Sequence, residues 1–163
     1  MRTAPPVPPD APTVAASDLD ASGEAPLEGA VVLVFSECRS MAPAFRVAIA
    51  IDGTVTFIGD RNVSALGRHG AHVDAAEVSS LIARIHRAGF SDFHARYTCT
   101  ETPTNHCNMH PCYTAVRIRD GATVRTVVRS NDAPSVPPQL IAIVADIERV
   151  ARTERWIGDA GAP

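Results

Sequence analysis

One short stretch of this sequence concentrates the side chains that can do chemistry. Residues 99–112 contain three cysteines and two histidines, namely Cys99, His106, Cys107, His110 and Cys112. Thiolate and imidazole groups are ligands that suit zinc and copper. The residues His106, Cys107, His110 and Cys112 would form such a site, but their spacing fits no standard ligand pattern and lacks a Cys-x-x-Cys. Zinc or copper binding is therefore an alternative interpretation, and no other cofactor is expected.

Disulfide bonds are the favoured interpretation of the cysteines. The chain has four of them, which are Cys38, Cys99, Cys107 and Cys112. An even number allows two disulfides in one of three connectivities, and a long loop without secondary structure needs some restraint. We favour Cys99 with Cys107, closing the loop, and Cys38 with Cys112, tying the exit of the first strand to the fourth. In a cytosolic protein, metal ligation would instead be favoured over disulfides.

A catalytic cysteine is the third interpretation of the same stretch. A nucleophilic thiol needs a lowered pKa and a histidine positioned beside it. Cys107 follows His106 directly, but the two are only sequence neighbours, and no oxyanion site or third member is evident. We therefore predict no catalytic residue and lean towards a non-enzymatic protein. A Cys/His hydrolase or redox protein stays as the second alternative, after metal binding.

Composition limits the class of protein further. The chain has 163 residues, of which 45% are hydrophobic and 20% are charged, as expected for one globular domain with a core. The net charge of −3 shows no footprint of nucleic-acid binding. No apolar run approaches the ~20 residues that a transmembrane helix needs. The expected partner is a protein or a small molecule whose identity the sequence does not give.

The two ends of the chain differ from its middle. Residues 1–28 are rich in Pro, Ala, Asp and Ser and have almost no large apolar side chain. Such a segment cannot bury enough surface to offset its ordering entropy, so we predict a disordered tail or tether. We predict one domain over residues 29–158 and a flexible C-terminus at 159–163. The N-terminus lacks the apolar h-region of a secretory signal, so a native N-terminus predicts a cytoplasmic protein. A signal or anchor segment removed upstream would instead predict the periplasm or cell envelope.

A β-hairpin is the clearest structural element that would position this loop. The Asp52-Gly53 pair separates two β-rich runs, which is a strong turn signal. A three-residue loop at 51–53 would pair Val47 with Phe57 and Ile49 with Val55. That register places Phe45 and these four apolar residues on one face, and burial of one face fixes the register of a hairpin.

The remaining pattern predicts an α+β fold. Residues 30–35 form an apolar run that suits a covered strand. Residues 113–118 and 122–128 indicate a second hairpin, whose turn at Arg119-Asp120-Gly121 would pair Val116 with Val124. Helices are predicted at about residues 75–88, after a capping box that begins at Asp74, and at about residues 137–152. The order β-ββ-α-ββ-α predicts an antiparallel sheet of about five strands with two helices packed on one face.

The order of several motifs resembles a bacterial family, domain of unknown function 6438. These motifs are Val-Ala-Ile-Ala-Ile-Asp-Gly-Thr-Val-Thr-Phe-Ile-Gly (47–59), Gly-Arg-His (67–69), Val-Asp-Ala-Ala-Glu-Val-Ser-Ser-Leu-Ile (73–82) and Thr-Glu-Arg-Trp-Ile-Gly (153–158). The resemblance covers about residues 30–158. It implies a Cys and a Cys-Pro pair before the first hairpin; Cys38 and Pro43 match, but Ala42 replaces the second Cys, which excludes a local Cys38 disulfide. The family has no established activity, and its members often look exported or lipid-anchored.

Together these observations favour a non-enzymatic, extracytoplasmic binding or interaction module that is stapled by disulfides and tethered by its N-terminal tail.

Overall fold

A computed structural model describes residues 30–38 and 41–158 of the chain. The predicted tail at residues 1–28 and the predicted flexible end at 159–163 lie outside this part. None of the helices in the described part is long and apolar enough to span a membrane.

Seven strands form a single sheet. They are β1 (Ala30–Glu37), β2 (Ala44–Ala50), β3 (Thr54–Arg61), β4 (Gly67–His72), β5 (Arg96–Tyr97), β6 (Tyr113–Asp120) and β7 (Thr123–Ser130). Their order across the sheet is β4-β3-β2-β1-β6-β7-β5. Every neighbouring pair is antiparallel except β5 and β7, which run parallel. The predicted α+β fold with an antiparallel sheet is therefore confirmed, although the sheet has seven strands rather than about five.

Two main helices cover one face of this sheet, and a short third helix follows them. They are α1 (Ala75–Arg87), α2 (Pro138–Ala151) and α3 (Glu154–Ile157). The Asp74 carboxylate accepts the backbone N–H of Ala76 at 2.8 Å and so caps α1 at the residue where the sequence placed the cap. Gly89, at φ 76°, lies just beyond the end of α1. Pro138 opens α2, where a missing N–H costs no helical hydrogen bond.

The first hairpin has the predicted register. Val47 pairs with Phe57, and Ile49 pairs with Val55. The backbone N–H of Gly53 donates to the carbonyl of Ala50 at 3.0 Å, and Gly53 has φ 94°. This is the three-residue connection that places the apolar side chains of both strands on one face.

The second hairpin is shifted from the predicted register. Val116 pairs with Val127 rather than with Val124, and Asp120 pairs with Thr123. The loop is therefore the two residues Gly121 and Ala122, of which only Gly121 has a positive φ. A two-residue loop with glycine first matches the twist of the flanking strands, which explains why it replaces the longer turn.

The extra strands lie at the two edges of the sheet. The sequence of β4 contains two glycines and no β-branched residue, so it has little intrinsic preference for a strand. It nevertheless pairs with β3 along its length, from Thr54 opposite His72 to Gly59 opposite Gly67. Backbone hydrogen bonds, rather than side-chain propensity, therefore hold this strand. At the opposite edge, β5 adds two residues beside β7.

The core lies between the sheet and the helices. The first hairpin contributes the buried residues Phe45, Val47, Ile49, Val55 and Phe57. The helices contribute Val78, Leu81, Ile85, Leu140, Ile143, Val144, Ile147 and Val150. Trp156 of α3 closes one end, because its ring stacks on that of Phe57 with 4.9 Å between centroids. The end of the described chain therefore packs against the core.

Candidate functional site

The loop at residues 98–112 connects β5 to β6, and two disulfides hold it. Cys99 is bonded to Cys107 within the loop, with 5.7 Å between the Cα atoms. Cys112, at the end of the loop, is bonded to Cys38, with 4.3 Å between the Cα atoms. These are the two pairs that the sequence favoured. No cysteine is free.

The register of the central strands explains the second pair. In the antiparallel pairing of β1 with β6, Glu37 lies opposite Tyr113. The next residues along, Cys38 and Cys112, therefore also lie opposite each other, which brings their side chains together. Cys38 is only 1% exposed, whereas Cys112 is half-buried.

Three polar residues at the end of β7 attach the loop to the sheet. The hydroxyl of Ser130 accepts the backbone N–H of Cys99 at 3.3 Å. The side-chain oxygen of Asn131 accepts the N–H of Cys112 at 3.0 Å. The carboxylate of Asp132 accepts the N–H of Asn108 at 2.8 Å. The loop is therefore fixed near its beginning, its middle and its end.

Sequence reasoning missed these three residues. The Ser-Asn-Asp run was a usable signal, because short polar side chains bond to nearby backbone N–H groups at strand ends and turns. Their targets lie 19 to 31 residues away in the chain, however, so the sequence alone does not identify them.

The interior of the loop has its own order. Thr102 and Asn105 exchange two backbone hydrogen bonds of 3.0 and 3.1 Å around a tight turn. The side-chain amide of Asn105 donates to the carbonyl of Thr100 at 3.0 Å and lies 3.4 Å from the sulfur of Cys99. A loop of this length normally samples many conformations, and these bonds restrict it.

The outward-facing part of the loop is polar apart from Pro103 and Met109. Met109 is 90% exposed, although methionine is more often buried. His106 has its Nδ1 atom 3.9 Å from the carboxylate of Glu101, and both side chains are largely exposed. His110 is exposed as well.

The residues of the predicted metal set have different environments in the structure. Cys107 and Cys112 belong to separate disulfides, so neither offers a thiolate in this state. Among the described residues, one group of three ligand atoms lies within 4.8 Å of one another, and it contains Cys99, Cys107 and Asp132. A Cys/His nucleophile would likewise need a free thiol.

Asp132 is electrostatically distinct within this region. The hydroxyl of Ser130 lowers the pKa of Asp132 below its ordinary value. Burial acts in the opposite direction, and the backbone N–H of Asn108 reinforces the decrease. The carboxyl group is therefore ionised at neutral pH.

A second feature lies on the helices, away from the loop. A groove of about 700 Å³ is lined by residues that include Arg84, Ala88, Ala142, Ile143, Asp146 and Arg149. Burial alone would raise the pKa of Asp146, but hydrogen bonds from Arg84 and Arg149 outweigh it and hold this pKa below its ordinary value. The Arg84–Asp146 bond, at 2.6 Å, ties α1 to α2. This ion pair has a structural role in joining the two helices.

The fold and this loop define a small α+β domain with disulfides at one end of its sheet. A family model for a domain of unknown function, number 6438, matches residues 30–151. The chain belongs to this family. The matched range ends before α3, so the terminal Thr-Glu-Arg-Trp-Ile-Gly motif lies outside it. No curated protein matches the sequence.

Proposed function

We propose that this protein is a non-enzymatic, extracytoplasmic binding module and that the loop at residues 98–112 is its recognition surface. The observation that carries this proposal is the fixation of a long, exposed loop by two disulfides and three side-chain anchors. Long ordered loops on a rigid sheet are common positions for binding residues.

A fixed loop has an energetic advantage in recognition. Binding costs about 0.5–1.5 kcal/mol for each flexible side chain that it immobilises, and ordering of a mobile loop adds to that cost. Here the backbone of the loop is ordered before any partner arrives. The free energy of the new contacts can therefore appear as affinity.

The exposed side chains favour a protein partner. Met109 presents an adaptable apolar side chain, which suits an irregular protein surface. The exposed loop residues Glu101, His106 and His110 supply polar groups that can form hydrogen bonds with water or with a partner. A protein interface with one apolar contact and a polar rim has this composition.

The disulfides support the proposed compartment. Disulfides persist in oxidising compartments and are rare in the cytosol. The N-terminal segment, by its composition, would act as the tether that places the domain in the periplasm or cell envelope.

Site-specific crosslinking tests the recognition surface. A photoreactive amino acid replaces Met109 in the full chain, and a matched variant carries it at Leu66, which is also exposed and apolar but lies in the β3–β4 connection. We expect a defined protein adduct from position 109 in a cell-envelope fraction, and none from position 66. Removal of the loop disulfide by Cys99→Ala and Cys107→Ala should weaken the adduct. Equal adducts from both positions, or none from position 109, would contradict the proposal.

A further inference from the structure

The loop disulfide lies beside a carboxylate that has an unsatisfied oxygen. The sulfur atoms of Cys99 and Cys107 and one carboxylate oxygen of Asp132 all lie within 4.8 Å of one another. The Oδ2 atom of Asp132 accepts the N–H of Asn108 at 2.8 Å, whereas its Oδ1 atom is buried and has no hydrogen-bond partner. A buried acceptor without a partner destabilises the folded state. A cation bound by the two sulfurs and this carboxylate would give the carboxylate a charged partner.

We propose that reduction of the Cys99–Cys107 disulfide creates a zinc site, in which the thiolates of Cys99 and Cys107 and the carboxylate of Asp132 are the ligands. Two thiolates and one carboxylate form a ligand set that suits zinc, and water completes a tetrahedral arrangement. This set differs from the histidine-containing set that the sequence suggested, since it shares with it only Cys107.

The chemistry of the conversion balances in two steps. A dithiol reductant supplies two electrons and two protons, the sulfur–sulfur bond breaks, two thiols form, and the reductant becomes a disulfide. Zinc then displaces both thiol protons and forms two zinc–sulfur bonds. The Asp132 carboxylate adds a zinc–oxygen bond without releasing a proton, because an aspartate side chain is ordinarily ionised at neutral pH.

The anchors of the loop would keep the ligands together after reduction. Cys99 stays attached through its N–H to Ser130, and Asn108, the neighbour of Cys107, stays attached to Asp132. Zinc–sulfur bonds of about 2.3 Å require the two sulfurs to stand roughly 3.8 Å apart in a tetrahedral site. Only a short rearrangement of the two cysteine side chains is therefore needed.

The two disulfides differ in their access to a reductant. Cys99 and Cys107 are both half-buried, so both sulfurs of the loop disulfide are partly accessible; in the second disulfide Cys112 is half-buried but Cys38 is fully buried. Thiol–disulfide exchange requires access to a sulfur, so the loop disulfide should react first. The Cys38–Cys112 bond would then hold the end of the loop to β1 while the zinc site forms.

Zinc binding by the full-length protein before and after mild reduction tests the proposal. A phosphine reductant is suitable, because it consumes water, becomes the phosphine oxide and competes weakly for zinc. Mass spectrometry after alkylation verifies that two thiols have formed. We expect the reduced protein to bind one zinc ion against a chromogenic chelator and the oxidised protein to bind none. Cobalt in place of zinc should give a thiolate-to-cobalt charge-transfer absorption.

Three variants make the result specific. Asp132→Asn should weaken zinc binding at least about tenfold, since loss of even a group that only supports a ligand costs 10–100-fold. His106→Ala and His110→Ala should leave binding unchanged, and loss of binding in either would overturn the proposed ligand set. The near-ultraviolet circular dichroism of Trp156 verifies that each variant is folded.

A fourth variant, Cys38→Ala with Cys112→Ala, ensures that only Cys99 and Cys107 can supply thiolates. It should still bind one zinc ion after reduction, since all three proposed ligands are retained. Absence of zinc binding in the reduced wild-type protein, or wild-type affinity in folded Asp132→Asn, would refute the proposal.

Discussion

The two disulfides should contribute unequally to stability, because they close loops of very different length. In the chain-entropy treatment, a cross-link stabilises the native state by restricting the unfolded chain, and the effect grows with the logarithm of loop length. Cys38 and Cys112 are 74 residues apart, which gives about 4.4 kcal/mol at 25 °C. Cys99 and Cys107 are 8 residues apart, which gives about 2.5 kcal/mol.

Two double variants test this difference. Cys38→Ala with Cys112→Ala should lower the free energy of unfolding by about 2 kcal/mol more than Cys99→Ala with Cys107→Ala, which is roughly a thirtyfold larger change in the unfolding equilibrium. Alanine is suitable at position 38, since that side chain is buried. Urea unfolding measures both values, and the fluorescence of Trp156, the single tryptophan, reports on the core.

The comparison can also refute the reasoning. If the loop variant loses as much stability as the variant without the Cys38–Cys112 bond, loop closure does not determine the contribution of these disulfides. Peptide mapping without reductant provides the second criterion. A peptide that links Cys38 to Cys99 or to Cys107 would show that the pairing itself is wrong.

Three further predictions concern single residues. Gly53→Ala should lower the free energy of unfolding more than its control, Gly121→Ala, does. Both glycines have a positive φ, so both substitutions strain the backbone. A Cβ atom at position 53 would also lie 2.0 Å from the carbonyl oxygen of Val73, whereas one at position 121 meets nothing within 4 Å. The control should cost about 1 kcal/mol from its φ alone, and equal losses in urea unfolding would contradict the steric argument. Asp146→Asn should be less stable than wild type at about pH 7 and should converge with it in acid, because a lowered folded pKa gives stability that is lost as pH falls through that pKa. Glu148→Gln should behave oppositely: burial raises the pKa of Glu148, partly offset by Arg129, so ionisation costs stability as pH rises through that pKa. We expect Glu148→Gln to be more stable than wild type at neutral pH and equally stable at about pH 3. A gain in stability that does not depend on pH would contradict this prediction.

The two hairpins show what the sequence could and could not predict. In the first, one register buries Phe45, Val47 and Phe57 together, so the apolar pattern selects it. In the second, the observed register places Arg125 on the helix-facing side with Val127. On that side, the guanidinium of Arg125 donates a hydrogen bond to the carbonyl of Phe93. A pattern of apolar residues cannot predict that an arginine lies on this side of the sheet.

The loop was predictable in its cysteines but not in its anchors. The sequence allowed three connectivities, and the structure has the one that was favoured, Cys99 with Cys107 and Cys38 with Cys112. Only the pairing of β1 with β6 in the structure explains the second bond. The contacts of Ser130, Asn131 and Asp132 depend on where β7 ends relative to the loop. This is a property of the assembled sheet, and no local sequence pattern encodes it.

The strand order divides the sheet into two halves that meet at one seam. The strands β1 to β4 pair with their neighbours in sequence, and so do β6 and β7, whereas β1 and β6 join residues far apart in the chain. Pairing across this seam closes a long loop, which is the slow kind of contact in folding. The Cys38–Cys112 bond lies at the end of the seam. This disulfide can therefore form only after the two halves have paired. In an oxidising compartment, its formation would make that reversible pairing permanent.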